Sequence, residues 1–120
     1  MKTFKTILFS GSLLMLYFTT ISAQEVMTPE LLWSLGRTNA DDMSSDGKFI
    51  VFGVSRYSVE ENSGNRDLYL YDIENKTTTQ LTTDPKSEYH ARFTPDNERI
   101  AFLQGGSLYE VPLSGGNVKK

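Results

Sequence analysis

His90 is the one imidazole in this 120-residue chain, and there is no cysteine. A histidine acting as general base needs a nucleophile within reach and a third group to orient it. One familiar nucleophile is a serine on a tight G-x-S-x-G elbow. The nine glycines stand at 11, 36, 47, 53, 64, 105, 106, 115 and 116. No two are four apart, so that elbow cannot be written. Without cysteine there is no thiolate nucleophile, disulfide, Cys-bound zinc or iron–sulfur cluster. Asp41, Asp42 and Asp46 are conceivable cation ligands, but their spacing fits no calcium loop. No residue is therefore assigned a catalytic, cofactor or metal role, and His90 is expected to be a packed or solvated side chain leading into a strand.

The bulk properties narrow the classes further. Twelve Lys and Arg stand against fifteen Asp and Glu, a formal charge of −3. The bases are scattered, which argues against nucleic acid as a partner. Seven Phe, six Tyr and one Trp are too many large apolar groups for a disordered chain.

Residues 1–23 have the layout of an export signal. Lys2 and Lys5 precede the apolar run Ile7 to Phe18, and Thr19-Thr20-Ile21-Ser22-Ala23 follows. A membrane span needs roughly 20 apolar residues, and this run is shorter and contains Gly11 and two serines. Cleavage is expected between Ala23 and Gln24. The exported product, periplasmic or secreted from a Gram-negative cell, would then be acidic and free of the membrane. Lacking disulfides, it must be held by packing alone.

The remaining segments must supply that packing. Thr28 to Gly36 predicts a short helix within an N-terminal segment, 24–37: Thr28 can cap it, Pro29 suits the first turn, Glu30 the positive end, and Gly36 the stop. Leu31, Leu32 and Leu35 form a stripe that should dock. Strands are predicted at Lys48–Val54, buried on both faces, at Asp67–Ile73, and at Thr77–Leu81 as a polar edge. Asn62 to Asn65 and Glu74 to Lys76 carry hairpin chemistry. Tyr89–Phe93, Arg99–Leu103 and Ser107–Val111 add three more strands.

An internal repeat orders these pieces. Met43-Ser44-Ser45-Asp46-Gly47-Lys48-Phe49-Ile50-Val51-Phe52 matches Phe93 to Phe102 at an offset of 50, and Leu68 to Ile73 matches Leu108 to Leu113 at an offset of 40. Strand repeats of this period are blades of a β-propeller. The fold class is therefore all-β, with about two blades, one near 38–84 and one near 85–120. Asp46 with Gly47, and Asp96 with Asn97, are assigned as structural turn residues. Each Asp should accept backbone N–H groups one and two residues on, while Gly47 or Asn97 takes the left-handed conformation.

The phrases S-S-D-G-K-F-I-V-F and T-P-D-N-E-R-I-A-F resemble the blades of TolB-like propellers and of the prolyl oligopeptidase family of serine peptidases. Met27-Thr28-Pro29-Glu30-Leu31-Leu32-Trp33-Ser34-Leu35-Gly36-Arg37, followed by a blade, N-R-D-L-Y-L-Y-D-I and Q-L-T, is similar to the mature start of acylaminoacyl-peptidase and dipeptidyl-peptidase-like members. Ser45 stands where that pattern has Pro, and Asn97 where it has Gly. The resemblance implies a larger protein: the rest of the propeller and an α/β-hydrolase domain would be this segment's partners in one polypeptide, with short peptides as substrates admitted past the propeller. The chain is accordingly expected to be the opening piece of such a peptidase, itself without catalytic residues. Glu60-Glu61 lies in a hairpin rather than in a matching motif, so the family's amine-binding role is not carried over to it. The alternative is a non-enzymatic TolB-like propeller binding a protein partner in the cell envelope.

Overall fold

The structure is a computed structural model and describes residues 26–120. The expected signal segment, with Ala23 and Gln24, lies outside the described residues. No helix among them is long and apolar enough to cross a membrane.

The helix α1, Pro29–Ser34, is capped by Thr28, whose hydroxyl accepts from the Leu31 amide at 3.1 Å. It ends before the expected stop: Leu35 is already extended. Gly36 serves a different purpose, because a Cβ there would sit 2.9 Å from Val54 Cγ1. The leucine stripe does not dock, either. No residue of α1 is buried, and its inward contact is Trp33 against the Tyr57 ring at 5.3 Å.

Two antiparallel sheets follow. The first has the order β1 (Arg37–Met43), β2 (Phe49–Ser58), β3 (Ser63–Asp72), β4 (Thr77–Gln80), and the second β5 (Glu88–Phe93), β6 (Arg99–Gln104), β7 (Ser107–Pro112). β1, a polar stretch with no strand periodicity, is an addition to the expected set. The β2–β3 turn falls at 59–62, so Ser63 to Asn65, expected in the turn, belong to β3. Val51 and Val54 of β2 are buried, whereas Phe49, Ile50 and Phe52 are half-covered. Val51 and Val54 point to opposite faces, so the expectation of burial on both faces holds in part: each face has one buried valine beside a half-covered phenylalanine. Phe52 stacks on Tyr69 at 5.7 Å.

The register repeats along with the sequence. Ile50 pairs with Tyr71 and Ile100 with Val111; Met43 pairs with Ile50 and Phe93 with Ile100. The first strand of each sheet carries an irregularity at the corresponding place, between Ala40 and Asp42 in β1 and between Tyr89 and Arg92 in β5. The shorter offset comes from the second hairpin, where both strands and the turn lose residues. Glu110 bridges Lys119, forty residues beyond the Leu70–Thr79 pair of β3 and β4.

The core lies between the sheets. Val51, Leu68, Leu70 and Leu81 of the first half pack with Ala91, Ile100, Phe102 and Val111 of the second. Burying one such large aliphatic or aromatic side chain contributes about 1.5–3 kcal/mol. In the first sheet β2 and β3 supply this face; in the second it is the row of Ile100 and Phe102, which corresponds in the repeat to the outer row of Ile50 and Phe52. The sheets therefore stack in one direction, unlike face on unlike face.

Candidate functional site at the junction between the sheets

Two matching turns close the β1–β2 and β5–β6 hairpins. In the first, the buried Ser44 hydroxyl donates to Asp46 Oδ1 at 2.6 Å and accepts from the Lys48 and Phe49 amides, while Asp46 Oδ1 accepts from Lys48 at 3.1 Å. In the second, Thr94 donates to Asp96 at 2.5 Å, and Asp96 accepts from the Glu98 amide at 3.0 Å. Gly47 and Asn97 have φ of 72° and 57°. One expected bond differs: the amides of Gly47 and Asn97 donate to the carbonyls of Ser44 and Thr94, not to the Asp carboxylates. The turn hydroxyl holds Asp46 below its usual carboxylate pKa, and Thr94 does the same for Asp96.

The turns also meet. Asn97 Nδ2 donates to Ser45 Oγ at 2.6 Å, and Asn97 Oδ1 accepts from the Ser45 amide at 3.2 Å. Asp42 Oδ2 accepts from the Phe93 amide at 3.0 Å.

Deeper in the junction, Arg66 of β3 reaches across. Its Nη2 donates to Asp41 Oδ2 at 2.8 Å and its Nη1 to the Glu88 carbonyl at 2.7 Å. The β1 irregularity turns Asp41 inward, and Gly53 leaves the room that the guanidinium fills. Arg92 of β5 returns a bond to the Asp41 carbonyl. A buried pair of this kind costs desolvation on both sides, and is held only where further hydrogen bonds satisfy it.

The crossover from β4 to β5 is fastened by Glu88, which is fully buried. Thr82 Oγ1 donates to Glu88 Oε2 and Gln104 Nε2 to Glu88 Oε1, both at 2.8 Å, and Thr82 itself accepts from the Leu68 amide. Burial pushes the Glu88 carboxyl above its ordinary pKa against the pull of these two bonds.

The structure places the remaining candidates apart. His90 is exposed, at φ 56° in the β5 irregularity. Asp41, Asp42 and Asp46 are engaged separately, with Arg66, with Phe93 and in the turn. Among the described residues no cluster of three or more His, Asp or Glu side chains is placed to hold a metal ion. Glu60 and Glu61 lie in the exposed β2–β3 turn. Sequence reasoning missed Arg66, Glu88 and Ser44. Only Ser44 left a signal, since Thr94 repeats its hydroxyl at an offset of 50.

A four-stranded antiparallel sheet, followed by a second in the same register and stacked on it in one direction, is a pair of β-propeller blades, and the junction is what locks one blade to the next. Residues 44–120 match the family described as the dipeptidyl peptidase IV (DPP IV) N-terminal region, and the chain belongs to that family. It is 35% identical over 86 residues to dipeptidyl-peptidase 5 of Porphyromonas gingivalis, covering 70% of this chain and 13% of that protein. Over 82 residues it is 29% identical to dipeptidyl-peptidase 5 of Porphyromonas endodontalis, covering 68% and 12%. It is also 32% identical over 76 residues to the Tol-Pal system protein TolB of Helicobacter pylori, covering 63% and 17%. The chain spans a small part of the length of each relative it matches.

Proposed function

We propose that these residues form the opening propeller blades of an exported serine peptidase that hydrolyses short peptides, with the propeller limiting which substrates reach the catalytic domain. The observation that carries this reading is the family match over 44–120, joined to relatives named as dipeptidyl-peptidases. The junction's part is mechanical: Arg66, Glu88 and the Asn97–Ser45 contact hold adjacent blades so that a wall, rather than a flexible arm, screens the site. The rest of the polypeptide would supply the remaining blades and the nucleophile, base and orienting acid.

The test uses the full-length protein with dipeptidyl p-nitroanilides and with a folded globular protein. Release of p-nitroaniline that a serine-directed fluorophosphonate abolishes, with the folded protein left intact, is the expected result. Cleavage of both substrates would remove the screening role. No hydrolysis by a well-folded sample would remove the peptidase. Export is checked by amino-terminal sequencing of the periplasmic or secreted material, where Gln24 should come first.

A second reading rests on the similarity to TolB: a propeller without hydrolase activity that binds an envelope protein. A full-length sequence lacking a G-x-S-x-G elbow would favour it.

A further inference from the structure

A cleft with about 130 Å³ of room opens where α1, the start of β1, the end of β2, the start of β3 and the start of β5 converge. Trp33, Tyr57 and Tyr89 line it together with Arg37, Ser55 and Arg66, and none of its lining residues is Asp or Glu. That is notable in a chain with formal charge −3. The register explains the grouping: Arg37 pairs with Ser55, and Ser55 with Arg66, so the three lie in one row across the sheet.

The two guanidinium groups differ. Arg66 is 8% exposed and paired with Asp41, its plane near Tyr89 with 5.7 Å to the ring centre. Arg37 is exposed and lies over Trp33 at 5.3 Å, and among the described residues no carboxylate is within ion-pairing distance of it. The neighbouring Ser55 hydroxyl takes no part in the bonds that lock the junction. Arg56 also borders the cleft, but its side chain lies on the opposite face, donating to the Tyr69 hydroxyl at 3.2 Å. The cleft thus offers an uncompensated planar cation, an adjacent hydroxyl donor and aromatic walls.

We propose that this cleft binds a carboxylate carried on an aromatic body: the carboxylate on Arg37 and Ser55, the ring against Trp33, Tyr57 and Tyr89. A guanidinium fork matches a carboxylate in plane. A cavity of roughly 150 Å³ holds a benzene ring, so an open cleft of about 130 Å³ is close to one ring in size, with the rest of the ligand extending into solvent. Aromatic side chains add edge or stacked contacts to such a ligand.

Calorimetric titration of the full-length protein at low salt tests this with phenylacetate, phenylacetamide, acetate and inorganic phosphate. Phenylacetate should bind at least tenfold more tightly than each of the other three. Arg37→Gln should abolish that preference and Arg37→Lys should restore part of it, while Lys76→Asn, in the β3–β4 turn at the far end of the sheet, should leave it unchanged. Equal binding of phenylacetamide, equal binding of phosphate, a preference that survives Arg37→Gln, or no binding at all would each overturn the proposal. The assay involves no hydrolysis, so it can fail while the peptidase reading stands.

Discussion

The Arg66 guanidinium occupies the space where a side chain at Gly53 would be: a Cβ on Gly53 would lie 1.9 Å from Arg66 Cζ. Two strands of one sheet thereby set the contact between two sheets, because the displaced volume is what lets Arg66 reach Asp41 and the Glu88 carbonyl.

Gly53→Ala should therefore act as a junction mutation. Expelling Arg66 leaves Asp41 without its partner in a site that is almost closed to water, and breaking a buried pair in this way costs about 3–5 kcal/mol. Urea unfolding of the full-length protein should show a loss of that size, and Gly53→Ala combined with Arg66→Ala should lose less than the two single changes added together. Strict additivity would mean that the two residues do not share one space.

Gly47 and Asn97 hold the same turn by different means, both at positive φ. Gly47→Ala should cost about 1–2 kcal/mol through the left-handed backbone alone, whereas Gly47→Asn should cost less. Asn97→Gly keeps the turn but loses the bonds to Ser45, so it should weaken the contact between blades. Melting temperatures of the three variants give the order.

Glu88 and the turn aspartates should respond to pH in opposite directions. Because burial raises the folded pKa of Glu88, its contribution is fully present below the ordinary Glu value, about 4.3, and is lost as pH rises through the raised value. Glu88→Gln removes that loss and can still bond Thr82 and Gln104. The melting temperature of Glu88→Gln relative to wild type should rise between pH 4 and 7; a constant difference would rule out the buried-carboxylate account.

For Asp46 and Asp96 the folded pKa is lowered by the turn hydroxyls. Their contribution is present above the ordinary Asp value, about 3.9, and is lost as pH falls through the lowered values. Asp46→Asn should differ from wild type at pH 6, and the gap should narrow as pH falls below about 3.9. A gap that does not narrow at all on acidification would show that the turn depends on shape rather than on charge.

The extent to which all this was legible in the chain differs by element. The turns were readable because Asp46-Gly47 and Asp96-Asn97 satisfy local backbone needs within a few residues, and because the repeat states the pattern twice. The three meander strands were readable for the same local reason. β1 was not, since Arg37 to Met43 carries no alternating pattern: it is held by pairing with β2 and by the bonds that Asp41 and Asp42 make to the next sheet.

By itself, the sequence determined two blades of a propeller, their order and the chemistry of their turns, since periodicity and turn residues act over short stretches of backbone. Only the tertiary structure decided that Arg66, Glu88 and Gly53 form the lock between the blades, and that Arg37, Ser55 and three aromatic rings share one cleft. Those partners lie far apart in the chain, up to 56 positions between Trp33 and Tyr89. What joins them is register and stacking direction, which no local pattern encodes.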